Sequence, residues 1–224
     1  NEEKIFKTLN SSGTSGQDLS TIYLDKENAI LQTKVLTKIV STILGNKRLP
    51  MLIIDSKSVI KDRNMFTARG AGIIGFSIFG KKVTYALDDN MELDIDKIKD
   101  FSQRHKNEKI FIFGFTSIIW KYFVKYIHNN NLKLPRLDGV IIHGGGWKKL
   151  TDEAVDNIQF KKSVYDVCGV KNVINYYGMV EQTGSIFLEC SEGYLHSSIF
   201  SDIIIRRNDF SICNINEMGL VQLI

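Results

Sequence analysis

Residues 109–146 read KIFIFGFTSIIWKYFVKYIHNNNLKLPRLDGVIIHGGG. Two short apolar runs, KIFIFGF (109–115) and GVIIHGGG (139–146), flank a segment with apolar residues at Ile118, Ile119, Trp120, Phe123 and Tyr126. Short, nearly continuous apolar runs ending in glycine suit strands buried on both faces, and apolar spacings of three and four suit a helix. The stretch therefore reads strand, amphipathic helix over 117–128, strand, which is the repeating unit of a parallel sheet.

The pattern extends outward in both directions. Toward the N-terminus, MLIID (51–55) is a buried strand, preceded by a helix over 26–44 with Asp25 as N-cap and Gly45 as its stop. Residues 94–101 suit a short helix. The intervening stretch, GIIGFSIFG followed by KKVTYAL, is punctuated by glycine and β-branched residues, and it predicts a bent pair of strands over 67–87. Toward the C-terminus, 151–168 reads as a helix with Thr151 as N-cap, and VINYYG (173–178) as strand then turn. SIFLEC, FSDIIIRR and GLVQLI then suggest antiparallel strands. The fold class is α/β, with a mostly parallel core flanked by helices and a β-rich C-terminal part.

Composition excludes several function classes. With 43% hydrophobic and 24% charged residues the 224-residue chain is an ordinary globular one, neither disordered nor fibrous. Twenty-nine Lys and Arg against 25 Asp and Glu leave a net charge of +4, without the basic stripe that nucleic acid requires. No run approaches the ~18 apolar residues of a membrane span. Three cysteines (Cys168, Cys190, Cys213) form no CxxC pair, and they read as buried structural thiols of a reduced, cytoplasmic protein. The four histidines are scattered without ligand spacing. The sequence opens on Asn1 and closes on Ile224 within a strand-like run, so a fragment of something longer is expected.

Four motifs carry candidate chemistry. SSGTSG (11–16) offers glycines and hydroxyls that suit a phosphate chain, although it lacks the GxxxxGK[ST] pattern; the plainer reading is a surface turn. Gly70, Gly72 and Gly75 match GxGxxG, but neither the preceding strand nor the following helix of a dinucleotide site is legible around them. HGGGWK (143–148) leaves a strand with three glycines that let a flat ring approach the backbone, while His143 itself reads as a packed core histidine. YYGMVEQ (176–182) closes another strand with an aromatic face and a carboxylate able to hold Mg²⁺, or simply with a solvated Glu.

The order SSGTSG, HGGGWK, YYGMVEQTG resembles the adenylate-forming superfamily, whose phosphate loop reads [ST]SG[ST]TG and whose later motif reads YGxTE. Within it, FKTLNSSGTSGQ, IFGFTSIIW, HGGGWKKL, YYGMVEQTG, FLEC and HSSIFSDIIIRR resemble the acyl-protein synthetase family, the fatty-acid-activating component of bacterial luciferase fatty acid reductase. The resemblance runs from Phe6 to the end of the chain. It implies that residues 1–224 are an incomplete AMP-binding large lobe lacking the small C-terminal lobe. It also implies an ATP- and Mg²⁺-dependent ligase that converts a long-chain fatty acid to acyl-AMP and passes the acyl group to a protein cysteine. Ser12, Gly13, Thr14, Ser15 and Gly16 would bind the phosphates, with Thr14 and Glu181 catalytic and Glu181 on the metal. Gly144, Gly145, Gly146, Tyr177 and Gly178 would enclose the adenine, and bulk at Gly145 would block that slot with little unfolding. Phe115, Thr116 and Trp120, or the stretch 74–79, would line the acyl pocket. An acyl-reductase or acyl-transferase is the implied protein partner.

The pattern departs from the superfamily in several places. Asp18 and Leu19 follow Gln17 where Pro-Lys usually closes the phosphate loop, and Val180 replaces the usual Thr. The ribose-binding Asp, the catalytic lysine and the acyl-accepting cysteine of the family have no counterpart in these residues, so the chain alone is expected to turn over little. Two other readings remain open: an aryl- or acyl-CoA ligase of the phenylacetate–CoA ligase type, and a degenerate nucleotide-binding or scaffold protein without catalysis.

Overall fold

A computed structural model describes residues 5–10, 21–61, 67–179 and 184–224. Its centre is a seven-stranded sheet in the order β4-β3-β5-β6-β7-β8-β9, formed by β3 (Leu49–Ser56), β4 (Gly80–Leu87), β5 (Ile110–Phe115), β6 (Gly139–Gly144), β7 (Asn172–Tyr177), β8 (Phe187–Glu189) and β9 (Leu195–His196). The first five in this order run parallel, and β8 and β9 add on antiparallel. Two small antiparallel ladders stand apart: β1 (Lys7–Asn10) with β2 (Thr21–Leu24), and β10 (Ile203–Arg206) with β11 (Leu220–Leu223).

Helices cover both faces of the sheet, so its strands are apolar on both sides. Met51 and Ile53 of β3, Phe111 and Phe113 of β5, and Val140 and Ile142 of β6 meet α1 (Lys26–Leu44) and α2 (Ala68–Ser77) on one face. The alternate residues Leu52, Ile54, Ile110, Ile112 and Ile141 meet the other helices on the opposite face. These are α3 (Ile95–Arg104), α4 (Thr116–Ile118) with its continuation through a π-helical turn (Ile119–Val124) into α5 (Lys125–Asn129), and α6 (Asn157–Cys168). Period-two alternation thus builds two cores from one sheet.

Chain direction reverses around β3. From β3 the chain passes through α2 outward to β4, then through α3 back across to β5. Ligands of open α/β sheets bind beyond the carboxyl ends of strands at such a reversal. The ends in question are Asp55 and Ser56 of β3, Phe115 of β5, Gly144 of β6 and Tyr177 of β7.

Three readings of the sequence need correction. Residues 68–77 form a helix, not a strand, so GxGxxG lies inside α2. Thr67 Oγ1 caps it by accepting from Gly70 N at 3.1 Å, and Gly70, Ile73 and Phe76 face the sheet at threefold spacing. Glycine is unfavourable in a helix by about 1 kcal/mol relative to alanine, yet here it permits close approach. A Cβ on Gly72 would stand 2.9 Å from the Phe115 ring, and one on Gly75 would touch Leu36 at 3.6 Å. Tertiary packing outweighs local propensity. The helix expected from Thr151 is instead a 3₁₀ turn (Thr151–Glu153) followed by α6, whose cap is Asp156, with Oδ1 accepting from Gln159 N at 2.7 Å. Of the cysteines only Cys168 is fully buried, its thiol pushed up to about 11 by burial; Cys190 and Cys213 are half-buried.

Candidate functional site

β5, β6 and β7 end side by side. Phe115 pairs in register with Gly144, and Gly144 with Tyr176. Beyond them the chain leaves β6 through Gly145 at φ +80° and Gly146 at φ +65°, a left-handed path that side chains rarely follow. Gly145, Gly146, Tyr177 and Gly178 are exposed on adjoining exits, while Gly144 is buried at the end of β6. A Cβ on Gly144 would fall 2.6 Å from the Tyr176 ring, and one on Gly145 2.6 Å from the Phe115 ring, whereas one on Gly146 would meet nothing within 4 Å. A side chain at Gly145 therefore strains the backbone and collides with Phe115, so bulk there disturbs the fold as well as the slot.

These peptides are exposed, and Tyr177 is 46% exposed on the neighbouring exit. Behind them lies a packed aromatic layer in which Tyr176 meets Phe76 at 5.0 Å and Phe113 meets Phe115 edge-on at 5.7 Å between centroids. Burial in this layer raises the Tyr176 phenol, keeping it protonated.

Phe115, Thr116 and Trp120 are distributed over two environments. Phe115 packs into the core beneath α1 and α2, wedged between Gly72 and Gly145. Trp120 belongs to the opposite core, edge-on to Trp147 at 5.5 Å and stacked on Phe160 at 6.1 Å. The buried Thr116 hydroxyl contacts the Gly144 carbonyl at 3.0 Å and His143 Nδ1 at 2.9 Å. Within 74–79, Ile74 and Ile78 are exposed while Phe76 and Phe79 are core. Ser12, Gly13, Thr14, Ser15, Gly16 and Glu181 lie outside the described residues. Among the described residues no group of three or more His, Cys, Asp or Glu is arranged to hold a metal, and no helix is long and apolar enough to cross a membrane.

Of three buried polar groups, His143 is the packed core histidine that the sequence reads, whereas Asp55 and Glu189 escaped that reading. His143, 3% exposed, lies over Phe160 at 4.5 Å and is lowered to about 4 by burial, with Lys161 working in the same direction and Glu189 against. Asp55, fully buried at the end of β3, accepts from Arg69 Nε at 2.7 Å and also from its Nη2. Glu189 of β8 accepts from Lys161 Nζ at 2.7 Å, Asn175 N at 2.9 Å and Asn157 Nδ2. Burial works to raise its carboxyl, and these three donors outweigh it, holding the group below its ordinary range. The available signal was a carboxylate inside an otherwise buried run, in MLIID and in FLEC.

A family model described as "Acyl-protein synthetase, LuxE" matches residues 1–224. A search of curated protein sequences found no match. Solved structures share the fold at low identity. O-succinylbenzoate coenzyme A synthetase (MenE) from Bacillus subtilis, in complex with AMP, superposes with a TM-score of 0.60 at 15% identity over 96% of this chain and 40% of that one. An ATP-bound RpMatB-BxBclM chimera gives 0.58 at 12% identity over 96% and 38%. The N-terminal subdomain of Klebsiella oxytoca NpsA, bound to 3-hydroxyanthranilyl-AMSN, gives 0.53 at 13% identity over 96% and 48%. The chain spans less than half the length of each of these proteins.

Proposed function

Because the chain belongs to the acyl-protein synthetase family, we propose that it is the large lobe of a ligase that activates a long-chain fatty acid with ATP and hands the acyl group to a protein cysteine. In the first step a carboxylate oxygen of the acid bonds to the α-phosphorus of ATP and the bond to the β-phosphate oxygen breaks, giving acyl-AMP and pyrophosphate. In the second a cysteine thiolate attacks the acyl carbon and AMP leaves with the electron pair.

Such chemistry is positioning and charge neutralisation. In this reading Gly144, Gly145, Gly146, Tyr177 and Gly178 enclose the adenine, and Ser12, Gly13, Thr14, Ser15 and Gly16 supply backbone and hydroxyl donors to the phosphates. Glu181 holds Mg²⁺, which would neutralise the phosphate oxygens. The phosphate loop here lacks a closing lysine, so that neutralisation falls more heavily on the metal. Thr116 already spends its hydroxyl on the backbone and Trp120 lies in the opposite core, so the acyl lining is assigned first to Phe115. An acyl-reductase or acyl-transferase is the proposed partner.

The observation that supports this reading is the family match over the whole chain. The test is tetradecanoate-dependent ATP–pyrophosphate exchange by the full gene product with Mg²⁺. Exchange that requires the acid and disappears in Glu181→Ala is expected; ATP binding without exchange for any acid would sink the proposal. Labelled fatty acid retained on a protein cysteine, rather than released on coenzyme A, identifies the acceptor.

A further inference from the structure

Beneath the glycine run lies a buried relay that the reaction above does not use. Thr116 follows β5 directly, and its hydroxyl lies within hydrogen-bond distance of both the Gly144 carbonyl, at 3.0 Å, and His143 Nδ1, at 2.9 Å. A carbonyl only accepts and a hydroxyl carries one proton, so the Thr116 proton goes to Gly144 O. The remaining contact then requires a proton on Nδ1, which His143 donates to the Thr116 oxygen. Its Nε2 is left as a buried acceptor with no partner among the described residues. The imidazole is held in place by Phe160 at 4.5 Å, while Lys161 of α6 and Glu189 of β8 are the charged groups that act on it.

The consequence concerns the peptide between Gly144 and Gly145. In a trans peptide the C=O and N–H point in opposite directions. With the Gly144 carbonyl held by Thr116 on the β5 side, the Gly145 N–H is turned to the β7 side, where Gly144 is in register with Tyr176, at the point where the chain enters its left-handed path. Glycine at φ +80° has no side chain of its own to set this orientation. The Thr116 hydroxyl adds a hold on the carbonyl side to what the β6 ladder supplies.

We propose that His143 is a positioning residue for the nucleotide slot: as its Nδ1–H tautomer it orients the Thr116 hydroxyl onto the Gly144 carbonyl and thereby fixes the first exposed peptide of the glycine run. The role rests on the acyl-activation reading, because it needs a nucleotide in that slot. His143 touches no reacting atom; it acts through Thr116 and the backbone.

Exchange kinetics of the full gene product with tetradecanoate and Mg²⁺ test it. Thr116→Val and His143→Leu should each raise the KM for ATP about tenfold, the scale of one lost hydrogen bond, with kcat little changed. Thr116→Ser, which keeps the hydroxyl, and His143→Asn, whose amide nitrogen can occupy the Nδ1 position, should restore most of the loss. The double variant Thr116→Val/His143→Leu should be no worse than either single one, because both cut the same chain. A merely structural pair would lower thermal stability and leave the KM for ATP alone. Wild-type exchange with an unchanged KM in both single variants overturns the positioning role, as does a ¹⁵N spectrum showing His143 as the Nε2–H tautomer. No exchange in the wild type overturns the acyl-activation reading instead, and the two failures are thereby separated.

Discussion

Two regions of the same sheet hold buried polar groups, and they are built on opposite principles. At the ends of β5, β6 and β7 the geometry is set by side chains that are missing: Gly144 lies against Tyr176 and Gly145 lies under Phe115. At the seam between α6 and β8 it is set by charge: Glu189, 6% exposed, gathers Lys161, Asn157 and the Asn175 amide. The seam has reason to need it. β8 and β9 are only three and two residues long, too few ladder bonds to fix the antiparallel extension firmly. The exits are left to glycine backbone, while the seam locks the last strands to the parallel core.

Breaking the seam should therefore produce the largest loss of stability. Glu189→Leu leaves a buried amide and a partly covered ammonium without their acceptor, and truncating one partner of such a cluster costs about 3–5 kcal/mol, here toward the lower end because Lys161 is 30% exposed. Urea unfolding should show it, with the nucleotide slot affected only through unfolding. A loss under ~1 kcal/mol would mean that the strand ladder alone secures β8.

Acid should separate the two regions by pH. His143 is lowered from 6.5 to about 4, so the unfolded chain binds its proton first as pH falls. The stability it contributes is complete above pH 6.5, declines as pH drops toward 4, and by then has fallen by about 3 kcal/mol. Glu189, also lowered, loses its contribution only below the ordinary carboxylate range, as pH falls through its folded value. His143→Leu should flatten the stability profile between pH 6.5 and 4 and leave the more acidic limb intact. An unchanged slope in that window would show that His143 is not held neutral by burial.

The comparison also explains what the sequence disclosed. Strands with nearly continuous apolar runs, β3, β5 and β6, were legible because burial on both faces leaves few polar residues to confuse the period. The end of β6 was legible for the complementary reason: glycines break its apolar run where the chain turns at positive φ. Helix α2 was not, because its glycines answer to Phe115 and Leu36, contacts remote in sequence that no local pattern announces. The Glu189 cluster was hidden in the same way. Asn157, Lys161, Asn175 and Glu189 meet only after α6 folds back along β7, and each alone reads as a solvated polar residue. The reversed start of α6 is a smaller instance, in which Thr151 and Asp156 are both plausible caps and Phe160, Val164 and Cys168 on the buried face select the later one.

Within the exits, Gly145 and Gly146 give the finest comparison. Both have positive φ, which for a non-glycine residue costs about 1–2 kcal/mol. Gly145→Val adds the collision with Phe115, so it should destabilise by more than that backbone term as well as abolish ATP binding. Gly145→Ala paired with Phe115→Leu should recover part of the collision and none of the backbone strain. Gly146→Ala carries the backbone term alone, because its Cβ would point into open space, and should cost about 1 kcal/mol by thermal unfolding. Its effect on ATP binding is then the informative quantity. A methyl group projecting from Gly146 enters the slot only if the nucleotide lies against that peptide. Weakened ATP binding in Gly146→Ala at near-normal stability places the ring over both glycines, whereas unchanged binding confines it to the side of Gly145 and Tyr177.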